Sequence, residues 1–402
     1  MKQDARLRAA TREEWRERVR AELEDEDPDV ELARRTPAGA VALAVYGPEK
    51  GPVGDRYEGV RPDAGWVATE TVDLGDDDAA TRASDARRLG IESLRLVDTS
   101  GRADVAGFVE ALDGAGARFV ATCPRILEAA LRSHATCVGA IDPFRASTLA
   151  PVSAPIDLAV DARAIELVPA GVLALEVDAS GLRERGGDAV LELAWFLASV
   201  VERFRANAGI ALRYAVRLAT GRDVFEEVAK LRAARALAGT LGHMLEQERW
   251  SVEIRAVGLR LALAEVDTAT NAVRASSQAV TAALGGADAI EVLPFEGATG
   301  RALRLSRTTH AVLRDEAWLD AVADPTGGAW YVEDLTDQLA RAAWERFRDI
   351  ERAGGLARFV ATGALESCLA EGRSARDAAL ADGSLVVVGV NRYTETTGRA
   401  GR

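Results

Sequence analysis

The sequence predicts an α/β protein built on a (β/α)8 TIM-type barrel, with an N-terminal helical arm and a C-terminal helical extension. Three observations carry this. Eight short apolar, β-branched runs alternate with longer segments of helical period, the arrangement that yields right-handed βαβ crossovers and a parallel sheet. The eight units together fill roughly 250 residues, the size of a closed barrel. No glycine-rich nucleotide fingerprint follows the first run, which weighs against an open doubly wound sheet, the structural rival.

Residues 1–65 form the arm. A helix is expected over Thr11–Leu23, ended by the acidic stretch EDEDPD, before a Gly- and Pro-rich region, Thr36–Gly65. Residues 66–330 form the barrel. Its strands are expected at Trp66–Val72, Ser93–Val97, Arg118–Thr122, Cys137–Ile141, Leu173–Val177, Ala211–Val216, Ser251–Ala256 and Ala289–Leu293. In the helix after the sixth strand, Val224, Val228, Leu231 and Ala234 make one stripe facing a sheet. Glu226 and Lys230, four apart, are expected on its solvated side. Residues 331–402 form the extension. It holds a long amphipathic helix stopped by Gly354-Gly355 and closes with a strand-like run, SLVVVGVNRYTE.

The chain has 402 residues, 48% hydrophobic and 28% charged, an ordinary globular balance. A net charge of −13 and the lack of a basic stripe argue against nucleic acid and against anionic lipid. No run approaches the ~18 apolar residues of a membrane span. The charged start, MKQDARLRAATREEW, has no apolar signal region. Cys123, Cys137 and Cys368 lie far apart with no CxxC pair, which reads as a reduced, cytoplasmic protein with small core cysteines.

Four aspartates close expected strands: Asp73, Asp98, Asp142 and Asp178. Three readings stand beside one another. Each caps the helix that follows, or together they leave an acidic barrel mouth, or they ligate Mg²⁺ or Mn²⁺, which prefer oxygen. His134 and His310 fall in helical segments and read as surface or packing residues, and no Ser-His-Asp order, HExxH or Walker loop occurs.

Four stretches in order resemble the methylmalonyl-CoA mutase family: EEVAKLRAAR (Glu226–Arg235), NAVR with Ala283-Leu284-Gly285-Gly286, VADPTGGAWYVE (Val322–Glu333), and VGVNR (Val388–Arg392). Glu14-Trp15, Tyr46-Gly47 and Gly65-Trp66 are similar to the family's small, or beta, subunit. As scaffold, Gly327-Gly328 and Gly354-Gly355 are expected to be turns, and Lys230 and Arg232 a solvated helix face.

The resemblance implies a heterodimeric, adenosylcobalamin-dependent mutase, but its chemistry-bearing residues are missing. The family's cobalamin domain follows the barrel and offers histidine in an Asp-x-His-x-x-Gly motif. None of His134, His243 and His310 lies in one, and the sequence ends at Arg402, where that domain would begin. The family's Tyr-His pair after the fifth strand falls on Ser180 and Gly181, and its polar stretch after the seventh on the apolar Ala256–Ala264. The family's N-terminal Arg-Gly and Arg-Gln-Tyr-Ala-Gly elements have no counterpart near Tyr57–Val67. The expectation is a non-catalytic small subunit, inactive alone and binding neither cofactor nor metal, beside a catalytic large subunit that carries adenosylcobalamin. The alternatives are an acyl-CoA mutase barrel that takes cobalamin from a separate B12-binding protein, and a divergent metal-dependent barrel enzyme.

Overall fold

The computed structural model describes residues 11–46, 65–101, 104–113, 118–122, 126, 174–206, 213–247, 250–266 and 268–394. The arm opens with α1 (Arg12–Glu22), started by a capping box in which Thr11 and Glu14 satisfy each other's backbone N–H. A short α2 (Pro28–Glu31) folds back on it, held by Arg12 on Asp29 (2.9 Å) and Arg16 on Asp27 (3.2 Å). Two two-residue strands follow, β1 (Arg34–Arg35) and β2 (Val41–Ala42).

The barrel elements described next are β3 (Val67–Asp73), α3 (Ala79–Arg88), β4 (Ser93–Val97), α4 (Val105–Asp113), β5 (Arg118–Ala121) and β6 (Ala174–Asp178). After a short α5 (Ser180–Glu184) come α6 (Ala189–Ala206), β7 (Arg213–Thr220), α7 (Val224–Met244), β8 (Val252–Gly258), α8 (Thr270–Leu284), β9 (Ala289–Glu291) and α9 (Gly300–Ala311). The chain ends its described part with α10 (Trp330–Arg352), α11 (Leu356–Ala361) and α12 (Ala364–Asp382).

Seven parallel strands lie in the order β5-β4-β3-β9-β8-β7-β6. The first barrel strand therefore pairs with the last, Val67 opposite Ala289, which is how a barrel closes and an open doubly wound sheet does not. Each expected strand among the described residues is present within a few residues of its predicted bounds, and Cys137–Ile141 lies outside them. Side chains alternate along the strands. In β3, Ala68, Glu70 and Val72 are buried toward the helices, while Val67 and Thr69 line the lumen.

Helix α6 is buried nearly all round because it is covered twice, by β6 and β7 beneath and by α10 above. Helix α10 presents Val332, Leu335, Leu339, Ala343, Phe347 and Ile350 to α6 and α7 at spacings of three and four. Each of the larger ones, all but Ala343, stabilises by ~2 kcal/mol on leaving water. The terminal run SLVVVGVNRYT, its part among the described residues, is not a strand. It is turns bridged at Val388 and Arg392, because Asn391 caps Val387 N–H and the Leu385 carbonyl while Arg274 holds the Val388 carbonyl. Among the described residues no helix is long and apolar enough to cross a membrane.

Candidate functional site

Successive inward positions of β4, β6, β7, β8 and β9 place Arg95, Glu176, Asp178, Arg217, Glu253, Arg255 and Glu291 in the lumen. These charges pair across the barrel. Arg95 donates to Glu176 (3.2 Å) and Asp178 (2.9 Å), Arg217 to Asp178 (3.3 Å) and Glu291 (2.7 Å), and Arg255 to Glu176 (2.7 Å) and Glu253 (2.9 Å). Glu291 also accepts from the Thr71 backbone N–H (3.1 Å). Burial alone would raise the Glu176 carboxyl, but Arg95, Arg255 and Arg217 outweigh it and hold it at about 2. Glu291 is likewise held below its ordinary value, chiefly by Arg217 against the opposing effect of burial. The cavity left among these side chains is about 30 Å³, room for a water or two and far from a drug-sized ligand.

At the C-terminal rim, where barrel enzymes keep their chemistry, Ser180 and Gly181 begin α5 and are both buried. The Ser180 hydroxyl donates to Asp178 (2.6 Å) and accepts from Arg217 (2.9 Å), so it is spent inside the ionic network. The apolar stretch after β8 folds onto the rim, where Leu259 and Ala262 cluster with Ala219. Glu184 of α5 accepts from the backbone N–H groups of Arg260 (2.6 Å) and Leu261 (2.9 Å), and Arg222 holds the Leu261 and Ala262 carbonyls. At these described positions the rim presents a buried serine and glycine and an apolar stretch whose backbone groups are paired within the chain.

The aspartates do not share one role. Asp73 accepts from the backbone N–H groups of Gly75 (2.9 Å) and Thr99 (3.2 Å) and from the Thr99 hydroxyl, bracing two loops together. Burial opposes its ionisation, yet these donors keep its carboxyl below the usual value. Its expected helix cap is corrected: the N-cap position of α3 is Asp78, five residues later and beyond the reach of the Asp73 side chain. Asp98 likewise closes its own loop, accepting from Ser100 (2.9 Å) and Gly101 (2.8 Å). Asp178 does meet a helix start, through the Ser180 N–H (3.2 Å), but arginines neutralise it, so the expected acidic mouth is at this point an ion network. Asp142 lies outside the described residues, as do His134, Cys123 and Cys137. Among the described residues no group of three or more His, Cys, Asp or Glu gathers as a metal site.

A second charged cluster corrects the reading of α7. Glu226, Lys230 and Arg232 are buried, not solvated. The Lys230 ammonium sits between Glu192 (2.7 Å) and Glu227 (2.5 Å) and donates to the Ala219 carbonyl, while Arg183 reaches Glu227 (2.6 Å). Arg232 pairs with Asp324 and, at 2.7 Å, with Glu333, which also accepts from the Gly328 N–H (3.0 Å). The reason is α10 with α6: both pack on α7 and cover the face its own periodicity leaves outside. Gly327-Gly328 is a turn as expected, with Gly328 at φ +79°. Burial raises the carboxyls of Glu192 and Glu226. Glu226 accepts the Ala38 N–H (2.8 Å), and Gln338 exchanges hydrogen bonds with the Val41 backbone (2.8 and 2.9 Å), so the arm docks on this chain's own α7 and α10. His310 is a packing residue: its Nδ1 accepts from the Trp66 indole N–H (3.1 Å), and burial with nearby Arg314 lowers it to about 3.

Fold and lumen together define a parallel α/β barrel whose interior is tied by ion pairs and whose described rim is folded over. The family model for methylmalonyl-CoA mutase matches residues 168–400, more than half of the 402, and the chain belongs to that family. It is 36% identical over 241 residues to the methylmalonyl-CoA mutase small subunit of Streptomyces virginiae, covering 57% of this chain and 39% of that one. A probable methylmalonyl-CoA mutase small subunit of Mycobacterium tuberculosis is 32% identical over 271 residues, covering 63% and 43%. The mitochondrial methylmalonyl-CoA mutase of Macaca fascicularis is 33% identical over 230 residues, covering 53% and 30%. The chain thus spans less than half the length of these relatives.

Proposed function

We propose that this chain is a non-catalytic small subunit of a heterodimeric, adenosylcobalamin-dependent acyl-CoA mutase of the methylmalonyl-CoA type. It supports a catalytic large subunit that carries the cofactor. The observation that carries this reading is the lumen. Arg95, Arg217 and Arg255 bridge Glu176, Asp178, Glu253 and Glu291 where a barrel mutase would need an open interior. The burial of Ser180 and Gly181 supports it, since neither offers a group to a substrate or a corrin. In this reading residues 1–65 are the arm, 66–330 the barrel and 331–402 the extension, and the complex works in the cytoplasm. The small-subunit relatives lend the partner, a large subunit, by analogy.

The test is a tagged pull-down from the native cell, with the intact complex weighed by mass spectrometry. A stoichiometric partner bearing a cobalamin domain supports the reading, and mutase activity then belongs to the pair and not to this chain alone. Recovery of monomer or homodimer only, or turnover by the isolated chain, overturns it.

A further inference from the structure

After α9 the chain makes one π-helical turn, Val312–Glu316, and reverses at Trp318. The reversal is fixed from both sides: Trp318 N–H donates to the Arg314 carbonyl (3.2 Å) and Leu319 N–H to that of Leu313 (3.0 Å). Leu319 turns in against the core, which leaves Trp318 outside, 71% exposed, at φ +57°. A left-handed backbone favours glycine and disfavours a bulky side chain. The position therefore keeps an indole in water on a backbone that a glycine would relax. Val312 (44%) and Val322 (56%) are exposed on the same turn region.

The turn also carries negative charge, unlike the arginine-matched carboxylates of Arg341–Asp337, Arg348–Glu345 and Arg352–Asp349 on α10. Asp315, Glu316 and Asp320 flank Trp318, and among the described residues none of them takes part in an ion pair. An exposed indole face flanked by unneutralised carboxylates is complementary to a cation with an apolar stem: the ring attracts it, its methylenes lie on the valines, and the carboxylates take its charge. A second copy of this chain is a poor match, since it carries the same acidic patch and a net charge of −13.

We propose that the Trp318 turn is a docking site for a basic patch, an Arg or Lys side chain rimmed by apolar groups, on the partner subunit. This rests on the subunit reading above. The test uses the full-length chain and the purified cobalamin-bearing partner that the wild type recovers, with Kd measured by titration calorimetry. Trp318→Gly is expected to weaken the complex about tenfold while leaving the melting temperature unchanged or higher, because glycine suits the backbone. The variant D315N/E316Q/D320N is expected to weaken it too, with a shallower dependence of Kd on salt. Equal Kd for wild type and both variants overturns the docking site while the subunit reading stands. A lower melting temperature for Trp318→Gly with unchanged Kd makes the residue structural and also overturns it. Loss of a homodimer in Trp318→Gly assigns the turn to self-association instead, and a wild type that recovers no such partner sinks both proposals together.

Discussion

Replacing Lys230 by methionine keeps most of the side-chain volume and removes one charge from a site with no exposed surface. In the wild type the ammonium neutralises Glu192 and Glu227, while Arg183 independently holds Glu227. The substitution therefore strands Glu192, which has no other cation within ion-pair distance among the described residues, and leaves the Ala219 carbonyl without its donor. A stranded buried carboxylate takes up a proton. At pH 7, neutralising a group whose ordinary value is 4.5 costs about 3 kcal/mol, at ~1.4 kcal/mol per pH unit. The lost hydrogen bond adds ~1 kcal/mol. The sign of the pH dependence follows from Glu192, whose folded value lies above its unfolded one. Stability from such a group is present below about 4.5 and is lost as pH rises, so the deficit of the variant must grow from pH 5 to pH 8. Urea unfolding followed by tryptophan fluorescence at both pH values measures it. A deficit under ~1 kcal/mol at pH 7 that does not change with pH would refute the buried cluster. The triple variant E192Q/E227Q/K230M, with no stranded charge, should recover much of the loss.

In the lumen the sign is opposite: Glu176 is held at about 2 against 4.5 unfolded, so its contribution is full above about 4.5 and disappears as the pH falls toward 2. Glu176→Gln should flatten the acid limb of the stability profile by ~3 kcal/mol, read from urea midpoints between pH 2 and pH 6. Two glycines of α7 should respond in opposite directions by thermal melting. Gly239 has nothing within 4 Å of an added Cβ and gains ~1 kcal/mol as alanine. Gly242 would meet the Trp250 ring at 2.3 Å and loses ~1–3 kcal/mol. Glu226→Ala removes the acceptor of the Ala38 N–H and should speed trypsin cleavage at Arg34 and Arg35, with the barrel's melting temperature changed far less than the cleavage rate.

Strand order and helix stripes were legible because both are periodic signals: alternation sets a parallel sheet, and a stripe at three and four marks each helix's inward face. The opposite face of α7 was not legible. Its charges, Glu226, Lys230 and Arg232, have the spacing of a solvated surface, and what buries them lies far off in the chain: Ala38 of the arm beside Glu226, Glu192 of α6 beside Lys230, and Glu333 of α10 beside Arg232. Local pattern carries no information about a second covering layer. The lumen is different, because its signal was present. Arg95 lies inside SLRLV, Arg217 inside RYAVRLAT and Arg255 inside VEIRAVG, each in an otherwise largely apolar strand. A strand covered by helices outside and a packed core inside has no solvent for such a charge, so each arginine requires a carboxylate at an inward position of another strand. Glu176 in ALEVD and Glu291 in AIE are such carboxylates, joined by Glu253 two residues before Arg255 on its own strand, and together they specify a tied interior. The strand-end aspartates drew the metal and acidic-mouth readings because they were weighed without these cations. With Arg95 and Arg217 counted against it, Asp178 is a neutralised member of the network.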